Sequence, residues 1–305
     1  MATPRELDAM RRAIALSALG LGTTSPNPPV GCVILDRDGR VVGQGYHERK
    51  GEPHAEVHAL AAAGGLAEGG TAVVTLEPCN HQGRTPPCRQ ALIDARIARV
   101  VIALIDPTSR GEGGAAALRA AGIDVEVGVL ADEARLVLGP WLDALESGRP
   151  RVTWAYVLGH EESAKLPGDL PPAVADHARL LRSRMDAVIP EDGHVEEGVL
   201  NSHGVGILQL DPKPLSAGPI AVLASLHAGG ARMVLLTGGH KLAAPFLRDR
   251  LVDEIVVILL EGDGHRRQES FPMTQPIAWS LAPSEFKLVR VEKVAGAVVA
   301  VCRKA

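Results

Sequence analysis

The stretch EPHAEVHAL, residues 52–60, is followed by TLEPCNHQGRTPPC, residues 75–88. Within this short window the chain carries an imidazole, a carboxylate and two thiols, at His54, Glu56, Cys79 and Cys88. Zinc binds imidazole and thiolate ligands, and a catalytic zinc site keeps three protein ligands so that water can take the fourth position. The pattern therefore predicts a zinc site formed by His54, Cys79 and Cys88.

Glu56 lies two residues after His54 and has the chemistry of a proton carrier. Hydrolysis at a catalytic zinc needs a group that takes a proton from water and delivers it to the leaving atom. A structural zinc site, which is the alternative, needs four ligands and usually contains a C-x-x-C pair, and neither feature is present here. We therefore predict that Glu56 is the catalytic acid and base.

Helical and strand-like segments alternate around these two stretches. A helix is expected near residues 4–19, and the predicted strands have the sequences CVILD, VVGQGY, TAVVTLE, RVVIALID and IDVEVGVL. Such alternation builds a sheet covered by helices on its faces. The Gly148 and Pro150 pair in LESGRPRV ends a helical run, so we predict one domain over 1–148 and a second over 149–305.

Composition restricts the partners and the compartment. The formal net charge of −4 argues against a broad nucleic-acid surface, so a small-molecule partner is expected. No apolar run is long enough for a membrane span and the first residues lack a signal-peptide core, so we expect a cytoplasmic protein with no membrane partner. Four cysteines, two of them in apolar strand-like runs, favour metal binding over a disulfide framework.

The HAE and EPC triplets match the H-x-E…P-C signature of zinc-dependent nucleobase deaminases. Eight residues separate Cys79 from Cys88, where the general signature has two. This wider spacing, together with SPNPPVGCVI and GYHERKGEPHAEVHAL, resembles the RibD-type family of riboflavin-pathway pyrimidine deaminases, which are usually fused to a reductase. The resemblance runs through most of residues 5–148. It implies an α/β fold: a cytidine-deaminase-like three-layer α/β/α domain followed by a dihydrofolate-reductase-like α/β domain.

The resemblance also implies substrate contacts in the first domain. Asn27 is expected to approach the pyrimidine ring, His81 to contact the substrate, and Arg84 to meet a ribose phosphate. Asn27 has the alternative of stabilising its Pro-rich turn, and Arg84 that of a solvated loop charge. His47 and His58 are expected to be ordinary hydrogen-bonded residues. The stretch DPTSRGEGG, residues 106–114, departs from the family pattern and leaves the identity of the substrate open.

The second half resembles the reductase domain of the same family in outline but not in its chemistry. Its similar segments are GRPRVTWAYVL, LLRSRMDAVI and LLTGGHKLAAPFLRDRLVDEIVVIL. Ala155 stands where the family has a lysine, Thr237 stands before a Gly pair where the family has an acid, and AKLPGDLPPAVADHA replaces the segment with the substrate arginine. We predict that this domain has lost its reductase site.

The stretch IPEDGHVEEG, residues 189–198, replaces the loop that receives nucleotide phosphates in the family. His194 takes the place of a threonine, and four carboxylates surround it, at Glu191, Asp192, Glu196 and Glu197. Carboxylates repel phosphate at close range, and Lys165 and Arg182 are the evident compensating cations. NADPH binding is therefore not expected.

The leading functional prediction is zinc-dependent hydrolytic deamination of an aminopyrimidine. The resemblance implies a 2,5-diamino-6-(phosphoribosylamino)pyrimidinone of the riboflavin pathway, or an analogue in specialised metabolism. Two alternatives remain open: a bifunctional deaminase and NADPH-dependent 5-amino-6-(5-phosphoribosylamino)uracil reductase, and a zinc-containing binding or regulatory protein without catalysis. The second domain is expected to support a homodimer or to brace the first.

Overall fold

A computed structural model describes residues 1–80, 87–109, 113–158, 172–198, 215–260, 285–294 and 296–305. These residues fold into two compact units, one over Met1–Leu142 and the other from Asp143 onward. None of the described helices is long and apolar enough to cross a membrane.

The elements of the first unit follow the predicted alternation. The strands are β1 (Gly31–Leu35), β2 (Val41–Tyr46), β3 (Thr71–Leu76), β4 (Arg99–Leu104) and β5 (Asp124–Val127). The helices are α1 (Pro4–Ser17), α2 (Ala55–Ala63), α3 (Cys88–Asp94), α4 (Gly113–Ala120) and α5 (Ala131–Ser147). The α5 helix continues past Leu142 into the second unit and ends one residue before Gly148. The boundary that we predicted at 148/149 stays a prediction.

The five strands form one sheet in the order β2-β1-β3-β4-β5. β1 is antiparallel to β2 and β3, whereas β3, β4 and β5 are parallel. Alternate side chains point to opposite faces: Val33 and Leu35 pack with α1 and α5, while Cys32 and Ile34 pack with α2, α3 and α4. The three-layer α/β/α arrangement that the resemblance implied is therefore confirmed.

Two glycines let α2 lie directly against β2. A Cβ atom at Gly45 would come within 2.7 Å of the Ala59 backbone nitrogen, and one at Gly43 would collide with the Ala59 carbonyl oxygen. Because no side chain separates the two backbones, the first turn of α2 is held at a fixed height over the sheet. His54 and Glu56 belong to that turn.

The second unit contains a larger sheet. Its strands are β6 (Arg151–Leu158), β7 (Ala187–Pro190), β8 (Glu196–Glu197), β9 (Met233–Thr237), β10 (Glu254–Leu260), β11 (Phe286–Val294) and β12 (Ala297–Lys304). They lie in the order β11-β12-β10-β6-β9-β7-β8, with β10, β6, β9 and β7 parallel. The helices are α6 (Pro172–Ser183), α7 (Pro219–Ala228) and α8 (His240–Arg248). The sequence predicted the alternation of helices and strands, but neither β8, which lies in a stretch expected to be a loop, nor β11, whose apolar residues Leu288, Val289 and Val291 are exposed.

Candidate metal centre

Three chain segments bring the predicted zinc ligands together. His54 is the N-cap of α2, Cys79 follows β3 in a loop, and Cys88 is the first residue of α3. Nδ1 of His54 lies 3.1 Å from Sγ of Cys88 and 3.7 Å from Sγ of Cys79. All three donor atoms lie within 4.8 Å of one another. Residues that are 34 positions apart in sequence thus face a common point.

The donor set fits zinc in chemistry and in size. A tetrahedral zinc with bonds of about 2.3 Å to sulfur and about 2.0 Å to nitrogen holds its ligand atoms roughly 3.5 to 3.8 Å apart. The separations between the His54 nitrogen and the two sulfurs are close to these values. His54, Cys79 and Cys88 therefore fit a zinc ion in donor type and spacing, and their role as its ligands stays a prediction.

The two thiols have opposite pKa shifts. The side chain of Cys88 donates to Cys79, and this bond, together with one to His54, lowers the pKa of the Cys79 thiol to about 4. The same bond and burial raise the pKa of the Cys88 thiol. The Cys88 backbone amide also donates to Sγ of Cys79 over 3.2 Å. These contacts favour the thiolate form of Cys79, which is the form that binds metals.

Glu56 is buried beside the ligands, with 3% of its surface exposed. Burial raises the pKa of its carboxyl group, and the nearby His54 imidazole partly opposes that shift. Its carboxylate also interacts with the Cys88 side chain. Glu56 therefore lies next to the metal ligands in a place from which water is largely excluded, and its environment favours a carboxyl group that can hold a proton.

Asn27 is connected to the cluster through His47. Nδ1 of His47 faces the Pro53 carbonyl oxygen at 3.2 Å, so this nitrogen carries the proton. Nε2 of His47 then accepts a hydrogen bond from Nδ2 of Asn27 over 3.3 Å. The His47 ring packs edge-on against His54, with ring centroids 5.1 Å apart. We expected His47 to be an ordinary hydrogen-bonded residue, and it forms the link between the Asn27 turn and His54.

Two further residues support the site, and the sequence alone did not indicate their roles. Nε1 of Trp141 in α5 donates to the Pro26 carbonyl oxygen over 3.0 Å, which fixes the turn before Asn27. Glu77 is buried after β3 and accepts hydrogen bonds from the amide of Ala115 over 2.9 Å and from Oγ of Ser109 over 2.9 Å. In each of these hydrogen bonds the donor and the acceptor are far apart in sequence, so no local pattern indicates the contact.

The remaining predicted site residues have different outcomes. His81 and Arg84 lie outside the described residues, so their roles stay predictions. His58 does not belong to the three-residue cluster.

Known proteins share both the motif and the whole fold. The model for the cytidine and deoxycytidylate deaminase zinc-binding region matches residues 4–104. The riboflavin biosynthesis protein RibD of Corynebacterium ammoniagenes is 36% identical over 295 residues, which are 84% of this chain and 87% of that relative. The chain belongs to the RibD family. RibD of Mycobacterium tuberculosis is 46% identical over 196 residues, which cover 62% of this chain and 57% of that protein.

A solved RibD-family structure extends the similarity to both units. It is a diaminohydroxyphosphoribosylaminopyrimidine deaminase/5-amino-6-(5-phosphoribosylamino)uracil reductase from Thermotoga maritima, with a TM-score of 0.77 and 25% identity, and 99% of each chain is covered. Over the first curated RibD relatives, in contrast, the matched segments span only about half of their length. The match of the Thermotoga maritima structure over both units confirms the two-domain fold that the resemblance implied.

Proposed function

We propose that the first unit is a zinc-dependent hydrolytic deaminase of an aminopyrimidine. The observation that carries this proposal is the buried Glu56 carboxylate beside the His54, Cys79 and Cys88 cluster. A zinc that only supports the fold has no use for a buried carboxylate that does not bind it. The match to a deaminase zinc-binding region over residues 4–104 supports the same reaction.

Metal binding, proton transfer and substrate binding are assigned to different residues of the site. His54, Cys79 and Cys88 would hold the metal, which would supply the Lewis acidity that makes water a strong nucleophile near neutral pH. Glu56 takes the proton of the attacking water and delivers it to the leaving amine nitrogen. Because Nδ2 of Asn27 is bonded to His47, we propose that the Asn27 carbonyl oxygen accepts a hydrogen bond from the ring edge of the substrate.

For the substrate we propose a 2,5-diamino-6-(phosphoribosylamino)pyrimidinone. A close analogue in specialised metabolism is the alternative substrate. The deaminase activity for which the similar Thermotoga maritima protein is named supports this choice. We also keep the proposal that Arg84 and His81 contact this substrate. Cytoplasmic location and a homodimer stay predictions.

A mass-spectrometric screen tests the proposal. Zinc-loaded protein is incubated with amino- and diaminopyrimidine ribosyl phosphates and, separately, with the unphosphorylated ribosides. Deamination replaces an amine by a carbonyl group, so we expect a gain of about one mass unit and one ammonia per product. Glu56→Gln is the matched control for contaminating activity. Zinc-loaded protein that converts none of these compounds would favour the non-catalytic zinc protein.

A second candidate function is reduction of the deaminated product by the second unit. The similar Thermotoga maritima protein is named as a reductase as well as a deaminase, which favours this function. Oxidation of NADPH in the presence of the deaminated product is the measurement that tests it.

A further inference from the structure

The carboxyl ends of two neighbouring parallel strands meet in the second unit. β7 ends at Pro190 and β9 ends at Thr237, and these two residues are paired in the sheet. Open α/β sheets bind ligands beyond the carboxyl ends of such strands, and anionic groups are held there by the amides of a following helix. The helix that follows β9 is α8, with Gly239 as its N-cap. This is the place where the fold would receive a nucleotide phosphate.

A carboxylate of the chain already occupies this place. Glu191 directly follows β7, and its Oε2 accepts a hydrogen bond from the Gly239 amide over 2.5 Å. No side chain caps α8 from its own N-cap position, because that residue is a glycine. A Cβ atom on Gly238 would collide with the same Glu191 oxygen, so the carboxylate is packed tightly against the turn. Nε1 of Trp154 donates to the Gly238 carbonyl oxygen over 2.9 Å and holds the turn from the other side.

The surrounding charges do not favour a second anion. Arg182 is bonded to the Glu196 carboxylate, to the Glu197 carbonyl oxygen over 3.2 Å and to the Gly198 carbonyl oxygen over 3.0 Å. Asp192 accepts from the His194 amide over 3.1 Å. The described cation nearest in sequence to Gly239 is Lys241, which is exposed in the first turn of α8. Lys165, the other cation that we considered, lies outside the described residues.

β6 also lacks the cation expected from the family resemblance. Ala155 is paired with Thr237 on one side and Val256 on the other, and it is fully buried. An alanine in this central strand places no charge at the edge where the cofactor would lie. The described residues at this edge of the second sheet therefore do not fit NADPH.

We propose that Glu191 is the resident anion of the α8 N-terminus and that it excludes a nucleotide phosphate from this position. A phosphate at the same amide would have to displace the Glu191 carboxylate or lie directly beside it, and two negative charges at contact distance repel each other. The second unit then keeps the reductase-like fold without holding the reductase cofactor. This inference concerns the second unit alone and is independent of the deaminase proposal.

Calorimetric titration of the full chain with NADPH and with inorganic phosphate tests the inference. We expect no saturable NADPH binding by the wild-type protein in the micromolar range. Glu191→Ala vacates the α8 N-terminus, so its affinity for phosphate should be at least tenfold higher than that of the wild type. Glu191→Gln keeps an oxygen that accepts from Gly239 but removes the negative charge, so it should fold like the wild type and gain about threefold to tenfold in phosphate affinity.

Asp192→Asn is the matched control for charge. It removes one negative charge next to Glu191 but leaves the Gly239 amide occupied, so its phosphate affinity should change by less than threefold. Near-ultraviolet circular dichroism verifies that each variant is folded. Micromolar NADPH binding by the wild type, equal phosphate affinity of the wild type and folded Glu191→Ala, or an equal gain in Asp192→Asn would each overturn the inference. If Glu191→Ala does not fold, Glu191→Gln decides the result, because a phosphate affinity equal to that of the wild type would overturn the inference.

Discussion

The Cys88 backbone amide donates a hydrogen bond to Sγ of Cys79 over 3.2 Å. Cys88 is thus connected to the cluster in two ways, since its own Sγ lies 3.1 Å from Nδ1 of His54. The amide belongs to the first residue of α3, where backbone donors have no partner within the helix. The eight-residue spacing between the two cysteines therefore allows one helix start to supply both a ligand and a donor to the other ligand.

Loss of either cysteine should remove the metal. The wild-type protein should carry about one zinc per chain, as expected for one three-ligand site, whereas Cys79→Ala and Cys88→Ala should carry almost none. Elemental analysis after gel filtration measures this. Cys302→Ala is the control, because Cys302 is buried in β12 of the other unit, and it should keep full zinc. Full occupancy in both site variants would show that the ligand assignment is wrong.

Glu56→Gln should separate chemistry from metal binding. The amide keeps the shape of the side chain but cannot carry the proton, so the rate of deamination should fall by roughly a hundredfold or more. Zinc content should stay at the wild-type level, because Glu56 is not one of the three donors. Ammonia release and elemental analysis on the same sample give both values. A near wild-type rate would remove Glu56 from the mechanism.

Asn27→Ala should weaken substrate use without loss of zinc. One neutral hydrogen bond contributes about 1 kcal/mol, so kcat/KM for deamination should fall by roughly threefold to tenfold. The comparison with His47→Gln is informative, because that variant removes the ring between Asn27 and His54 while Asn27 itself remains. Unchanged kcat/KM in Asn27→Ala would leave Asn27 only the role of stabilising its turn.

Glu77→Ala should destabilise the first unit. The substitution leaves the buried Ala115 amide and the Ser109 hydroxyl without their acceptor, which costs about 1 to 3 kcal/mol of the free energy of unfolding. Urea unfolding followed by circular dichroism measures the change. Glu68→Ala is the control, because Glu68 is half-exposed in its ion pairs with Arg37 and Arg96, and it should cost less than about 1 kcal/mol. Equal effects of the two substitutions would contradict this role of Glu77.

Acid should destabilise the first unit partly through Glu6. Burial alone would raise the pKa of this carboxyl group, but the Thr3 amide at 2.7 Å and the Arg99 guanidinium at 2.8 Å hold the pKa below its ordinary value of 4.5. A lowered pKa contributes stability that is fully present above 4.5 and is lost as the pH falls through the folded-state value. Thermal unfolding at pH 6 to 3 should therefore show a steeper loss in the wild type than in Glu6→Gln. Parallel curves would exclude this contribution.

Much of the first unit could be predicted because its signals are local. The strands β1 and β3 are apolar runs, and α2 begins beside the HAE triplet, so pattern and composition indicated the elements. β11 was missed because its side chains are largely exposed and show no buried face. The contacts of Glu77 and Trp141 were missed because they join residues 38 and 115 positions apart.

The sequence by itself determined the donor types of the metal site, their spacing and the nearby carboxylate, because ligand chemistry is a property of the side chains. It also identified the acidic stretch that replaces the phosphate loop of the second unit. Only the tertiary structure showed that Glu191 is the acid of this stretch that accepts a hydrogen bond from the Gly239 amide. The two residues are 48 positions apart and meet because β7 and β9 are paired. The path from Asn27 through His47 to His54 was decided in the same way, by the packing of a turn against the start of α2. Such contacts depend on how strands and helices pack, which no local pattern in the chain contains.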